Sequence, residues 1–188
     1  MKSPSRHPLE KKLNAPAVDI LEAIEHGFRA QVDVKGKLAE LYLSRHFEGL
    51  QREGKISRAV WHDSDGQPDF EVFMVDGGKM RVECKNLRSS KAFSPERGCK
   101  VEIQKTRGGR DVAGRPTRGY LATHFDVLAV CTFNHTGNWG FRFIAAKNLA
   151  LRDGDVGTLK VMQEVSLDGE NGPWLDNFLE VAAKVSPP

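Results

Sequence analysis

Pro68-Asp69-Phe70-Glu71-Val72-Phe73-Met74-Val75-Asp76-Gly77-Gly78-Lys79-Met80-Arg81-Val82-Glu83-Cys84-Lys85 is the stretch that decides the fold of this chain. Apolar and polar side chains alternate on both sides of Asp76-Gly77-Gly78, which is the period of two expected of half-buried strands joined by a glycine turn. The stretch therefore predicts a β-hairpin. A slip of one residue exchanges the two faces of a strand, so the side chains can choose the register. If Gly77-Gly78 alone formed the loop, Val72 would lie opposite Glu83 and Phe70 opposite Lys85. With all of Asp76-Gly77-Gly78 in the loop, Phe70 faces Cys84, Val72 faces Val82 and Met74 faces Met80, in a common three-residue hairpin with a left-handed glycine. That register puts Asp69, Glu71, Glu83 and Lys85 on one face, Asp69 opposite Lys85 and Glu71 opposite Glu83.

Upstream, residues 1–17 hold Pro4, Pro8 and Pro16 and few apolar side chains, and predict a loosely ordered lead-in. Helical spacing covers Asp19 to Arg29 and Val32 to Leu50, with breaks expected at Gly27 and near Gly36. The second helix carries Ala39, Leu43, Phe47 and Leu50 on one stripe, and at about 100° per residue Glu40 falls at the rim of that stripe. Arg58 to His62 predicts a short strand. Downstream, Lys100 to Thr106 suits helix or strand, and Phe125 to Phe133 and Phe141 to Ala145 predict two more strands around a turn-like Asn134 to Gly140. Trp174 to Val185 predicts a terminal helix with Pro173 in its first turn. The organisation expected is a lead-in (1–17), a main domain with its N-terminal helices (18–165) and a C-terminal helical extension (166–188).

Three carboxylates and a lysine on one strand pair ask for an explanation, because such groups are costly to bury without partners. Facing a cleft that holds a divalent cation they make sense, since Mg²⁺ takes hard oxygen ligands and leaves positions for water and phosphate. Pro68-Asp69 on one strand and Glu83-Cys84-Lys85 on the next resemble the signature of the PD-(D/E)XK nuclease superfamily, which includes many restriction endonucleases and repair nucleases. The resemblance covers about residues 32–145. It implies an α/β fold with a restriction endonuclease-like mixed β-sheet flanked by α-helices. It implies that Asp69, Glu83 and the backbone carbonyl of Cys84 hold Mg²⁺, with Mn²⁺ able to substitute, and that Lys85 positions the attacking water. Glu40 matches the acidic residue that many members carry on the preceding helix, where it binds the metal or orients a water. Glu71, Gln104 and Lys105 are further candidates to line the site. The Gln-x-x-x-Tyr motif of the RecB-like branch is absent, because Gln104 is followed four residues later by Gly108. A plainer account of the same hairpin is a solvated face with cross-strand ion pairs worth about 0.2–1 kcal/mol each.

The chain has 188 residues and a net charge of only +3. The average hides a local excess: residues 79–118 hold twelve basic and four acidic side chains, a net +8 that leaves the other 148 residues at −5. Arg88 lies in that window, and Arg107, Arg110, Arg115 and Arg118 are interleaved there with glycines, a composition suited to phosphate contacts. DNA, double-stranded, is the partner expected, and a homodimer follows if both strands are cut. No run approaches the roughly 18 apolar residues of a membrane span, and no apolar stretch follows the first residues, so neither a membrane segment nor a secretory signal is expected. Cys84, Cys99 and Cys131 form no Cys-x-x-Cys pair, which predicts a reducing, cytoplasmic setting without disulfides or structural zinc. Together these readings predict a Mg²⁺-dependent endonuclease of restriction or defence type. The alternatives are a repair or junction-resolving nuclease of the same superfamily and a non-catalytic nucleic-acid-binding protein.

Overall fold

Helices come first and a sheet follows. The computed structural model describes residues 6–64, 66–89, 98–104, 119–155, 157–168 and 172–185. The elements are α1 (Pro8–Leu13), α2 (Ala17–His26), α3 (Phe28–Arg52), β1 (Ile56–Trp61), β2 (Phe70–Met74), β3 (Lys79–Asn86), β4 (Cys99–Glu102), β5 (Val127–Cys131), α4 (Phe133–Thr136), β6 (Phe141–Ala145), β7 (Met162–Val165) and α5 (Phe178–Val185). The chain divides into two units, Met1–Leu38 and Ala39–Pro188.

The first unit is helical. Part of the stretch expected to be loosely ordered folds as α1, because Pro8 opens the helix and His7 and Glu10 cap it reciprocally. The His7 imidazole accepts from the Leu9 N–H and the Glu10 carboxylate accepts from the His7 N–H at 2.7 Å. Helix α2 ends at Gly27 as the spacing suggests. The break expected near Gly36 does not occur, and α3 runs on to Arg52. One helical glycine costs about 1 kcal/mol, too little to interrupt so long a helix.

The second unit is built on a five-stranded mixed sheet in the order β1-β2-β3-β5-β6, in which only the central β3/β5 pair is parallel. The fold is therefore α/β, with helices against the sheet. On one face, Ala39, Leu43 and Phe47 of α3 and Phe178, Val181 and Ala182 of α5 pack on Phe70, Val72, Val82, Cys84, Val127 and Ala129. On the other, Leu128, Val130 and Ile144 meet Val101, Ile103, Leu159, Val165 and Trp174, so the second layer is the two-stranded sheet β4/β7 and its loops. All five residues of β5 are consequently buried, as a central parallel strand covered on both faces should be.

The hairpin forms with one correction. Its loop is Val75-Asp76-Gly77: the Gly77 N–H donates to Met74 O at 3.2 Å and the Met74 N–H to Gly78 O at 2.7 Å. Phe70 accordingly faces Val82, Val72 faces Met80 and Glu71 faces Arg81. Asp69 is thus not opposite Lys85, nor Glu71 opposite Glu83. The cause is local, since Gly77 takes the left-handed conformation at φ 91° and Asp76 accepts from the Gly78 N–H at 2.9 Å. The turn closes one residue earlier and leaves Val75 exposed. A one-residue move of a three-residue loop shifts partners by two, and a shift of two leaves the faces unchanged.

Two further differences are long-range in origin. The segment after Gly98 resolves to a strand because β4 pairs with β7, more than fifty residues away. The terminal helix begins at Phe178, not near Trp174, because Leu175 exchanges two backbone hydrogen bonds with Phe143 of β6. Asn177 caps the helix by accepting from the Leu179 N–H at 3.0 Å. Helix α5 supplies three buried core residues, Phe178, Val181 and Ala182.

Candidate functional site

The hairpin's parity determines what can meet here. Glu83 and Lys85 alternate with the core residues Val82 and Cys84, so they project from the opposite face of β3, beside Leu128 and Val130 of β5. Asp69 stands just ahead of β2. Its Oδ2 accepts from the Cys84 N–H at 2.7 Å, which fixes the carboxylate against β3 at the residue that separates Glu83 from Lys85 in the chain. The Lys85 Nζ donates to Glu83 Oε1 and lies 3.9 Å from Asp69 Oδ2. Asp69, Glu83 and Lys85 thus converge.

Glu83 is 3% exposed, and a carboxylate that deep must be paired. Two donors reach its Oε1, the Lys85 ammonium and the Tyr120 hydroxyl. The Tyr120 ring also lies beside the lysine, with Nζ 5.8 Å from its centroid. Sequence reasoning missed Tyr120. It lies 37 residues from Glu83, after the Arg/Gly stretch, and a lone tyrosine at that separation carries no motif.

The charges are not balanced. Burial pushes the Asp69 carboxyl up to about 6, and the neighbouring Glu83 charge pushes in the same direction. Lys85 and the Cys84 N–H pull it down, but incompletely, and Glu40 adds a further negative field. Burial alone would lower the Lys85 ammonium, but Glu83 and Asp69 hold it above its ordinary value. Burial also raises the Tyr120 phenol, against the pull of Lys85 and with the help of Glu83. Lysine and phenol both stay protonated at neutral pH, so a single ammonium faces the two carboxylates.

Glu40 sits at the rim of the α3 stripe. Its Oε2 accepts from Trp61 Nε1 at 2.9 Å, and Trp61 in turn stacks on Phe70, the residue after Asp69. Glu71 is turned to other partners, Lys79 at 2.7 Å and His62 at 3.4 Å, and is not brought into the cluster. Gln104 follows β4 in a half-buried position. Arg88 is exposed, its backbone N–H donating to Lys100 O and its guanidinium resting against Met162. Lys105, Arg107, Arg110, Arg115 and Arg118 lie outside the described residues. Asp126 is structural: it takes Arg81 Nε at 3.1 Å, Arg81 Nη2 at 2.8 Å and the Arg81 backbone N–H at 2.8 Å, tying β5 to β3.

Among the described residues, no group of three or more His, Cys, Asp or Glu side chains is gathered to hold a metal ion. The donors that do converge are two carboxylates, with a lysine among them. Carboxylate oxygens are hard ligands of the kind Mg²⁺ accepts when water completes its shell, and two carboxylates facing one ammonium leave room in the charge balance for an added cation. Cys84, Cys99 and Cys131 are unpaired and buried. No helix among the described residues is long and apolar enough to cross a membrane.

No family model matches the sequence, and no curated protein matches it. Among solved structures, the chain is similar to a bacterial homing endonuclease, I-Ssp6803I, with a TM-score of 0.44 and 16% identity over 74% of this chain and 81% of that one.

Proposed function

We propose that this protein is a Mg²⁺-dependent deoxyribonuclease of the PD-(D/E)XK type, a DNA endonuclease with a restriction or defence role. One observation carries the reading: Asp69 is pinned to the Cys84 N–H beside Glu83, and the charged Lys85 lies between the two carboxylates. Asp69, Glu83 and the Cys84 carbonyl would hold Mg²⁺, which supplies Lewis-acid stabilisation of charge on the phosphate when bound. Lys85 orients the attacking water and offsets negative charge as the phosphodiester is attacked. Glu40, held by Trp61, keeps a negative field at the helix-side edge of the site.

Arg88 and the Arg/Gly stretch through Arg107, Arg110, Arg115 and Arg118 contact the DNA backbone in this reading, with Gln104 and Lys105 as further candidates to line the site. Three buried thiols suit a reducing, cytoplasmic setting. Since one site cuts one strand, cleavage of duplex DNA calls for a homodimer. Light scattering with and without DNA tests that point, and a monomer under both conditions removes it. For the activity itself, the full chain is incubated with plasmid, linear, single-stranded and branched DNA in Mg²⁺ or EDTA. Discrete plasmid fragments in Mg²⁺ alone are expected. Preference for branched DNA would point to a junction-resolving enzyme, and salt-sensitive binding without cleavage would reduce the protein to a binding module.

A further inference from the structure

Tyr120 is anchored more firmly than a loop tyrosine needs to be. Its carbonyl accepts from the Leu159 N–H at 2.8 Å. Its ring stands edge-on to Phe125 at 5.5 Å and to His124 at 5.9 Å, and Phe125 is buried in the second core. From this mount its hydroxyl reaches Glu83 Oε1, the same oxygen that the Lys85 ammonium approaches. The two donors differ in one decisive respect. An ammonium repels a divalent cation arriving at Glu83, whereas a neutral phenol can keep its hydrogen bond while the carboxylate takes up positive charge.

We propose that Tyr120 is a positioning residue for Glu83: its hydroxyl holds the carboxylate in the orientation in which it and Asp69 take a divalent cation. This rests on the nuclease reading and adds to it a residue that lies beyond the hairpin. Groups that orient a metal ligand in this way typically contribute about 10–100-fold to metal affinity.

The test is a Mn²⁺ binding isotherm, read from the electron paramagnetic resonance of free Mn²⁺, on full-length EDTA-stripped protein without DNA. Wild type, Tyr120→Phe and Glu83→Gln are compared. Binding should be lost in Glu83→Gln and weakened about tenfold in Tyr120→Phe, with the circular dichroism of Tyr120→Phe unchanged. In cleavage assays Tyr120→Phe should need about tenfold more Mg²⁺ for half-maximal rate, keep its KM for DNA and recover its rate at saturating Mg²⁺. Wild-type Mn²⁺ affinity in Tyr120→Phe, with binding lost in Glu83→Gln, overturns the role of Tyr120 and leaves the nuclease reading standing. Equal Mn²⁺ binding by wild type and Glu83→Gln overturns both.

Discussion

Asp69→Asn should make the metal-free protein more stable, and the gain should depend on pH. The folded state raises the Asp69 carboxyl from 3.8 to about 6, chiefly by burial and then by the Glu83 charge. A group raised in this way stabilises the fold below its unfolded value, and that contribution is lost as pH climbs through the folded value. The rise is a little over two units, and at about 1.36 kcal/mol per unit it amounts to about 3 kcal/mol of destabilisation once Asp69 is ionised. Asparagine keeps an acceptor for the Cys84 N–H and never ionises. Its advantage over wild type should be small at pH 4, grow through pH 5 and 6 and reach about 3 kcal/mol above pH 7. For a protein of this size the last figure corresponds to a rise in Tm of about 6–12 °C. Urea unfolding in EDTA, followed by tryptophan fluorescence between pH 4 and 8, measures it. Added Mg²⁺ at pH 8 should narrow the gap by stabilising wild type alone. An Asp69→Asn protein less stable than wild type at pH 8, or more stable by the same margin at every pH, would refute this reasoning.

Two stability predictions concern the frame that carries the site. Asp126→Ala removes the two bonds between the Arg81 guanidinium and Asp126, sparing only its bond to Thr123 O, and leaves the Arg81 backbone N–H without its acceptor, so denaturant unfolding should show a loss of about 2–3 kcal/mol. Asp126→Asn, which keeps an acceptor, should lose less. Phe47→Ala empties the centre of the α3 face, where the ring packs edge-on to Phe70 at 5.4 Å and Phe178 at 5.0 Å. It should cost about 3–5 kcal/mol in calorimetry.

What could be read from the sequence follows the range of the forces involved. The faces of β2 and β3 were legible because strand parity is a local property: Phe70, Val72, Val82 and Cys84 sort to the core, and Glu83 and Lys85 sort away from it, whichever residue opens the turn. The exact partners were not legible, because an apolar Val75 looks like strand while the left-handed Gly77 closes the loop around it. Glu40 at the rim of its helix was equally local. The strand character of β4 and the late start of α5 depend on β7 and on Phe143, partners distant in sequence that periodicity cannot name. Tyr120 was invisible for the same reason. Its hydrogen bond to Glu83 exists only because the chain returns past β3 on its way into β5.

The proposed reaction is metal-dependent hydrolysis of DNA in which Asp69, Glu83 and Lys85 act together. Its most direct test is the rate of plasmid cleavage by wild type, Asp69→Ala, Glu83→Ala and Lys85→Ala, each in Mg²⁺ and in EDTA. Wild type should cleave in Mg²⁺ and stop in EDTA, and each variant should fall by at least about 100-fold, the low end of what one positioned catalytic group contributes. Full Mg²⁺-dependent cleavage by any two of the variants, or cleavage by wild type that persists in EDTA, would contradict the account.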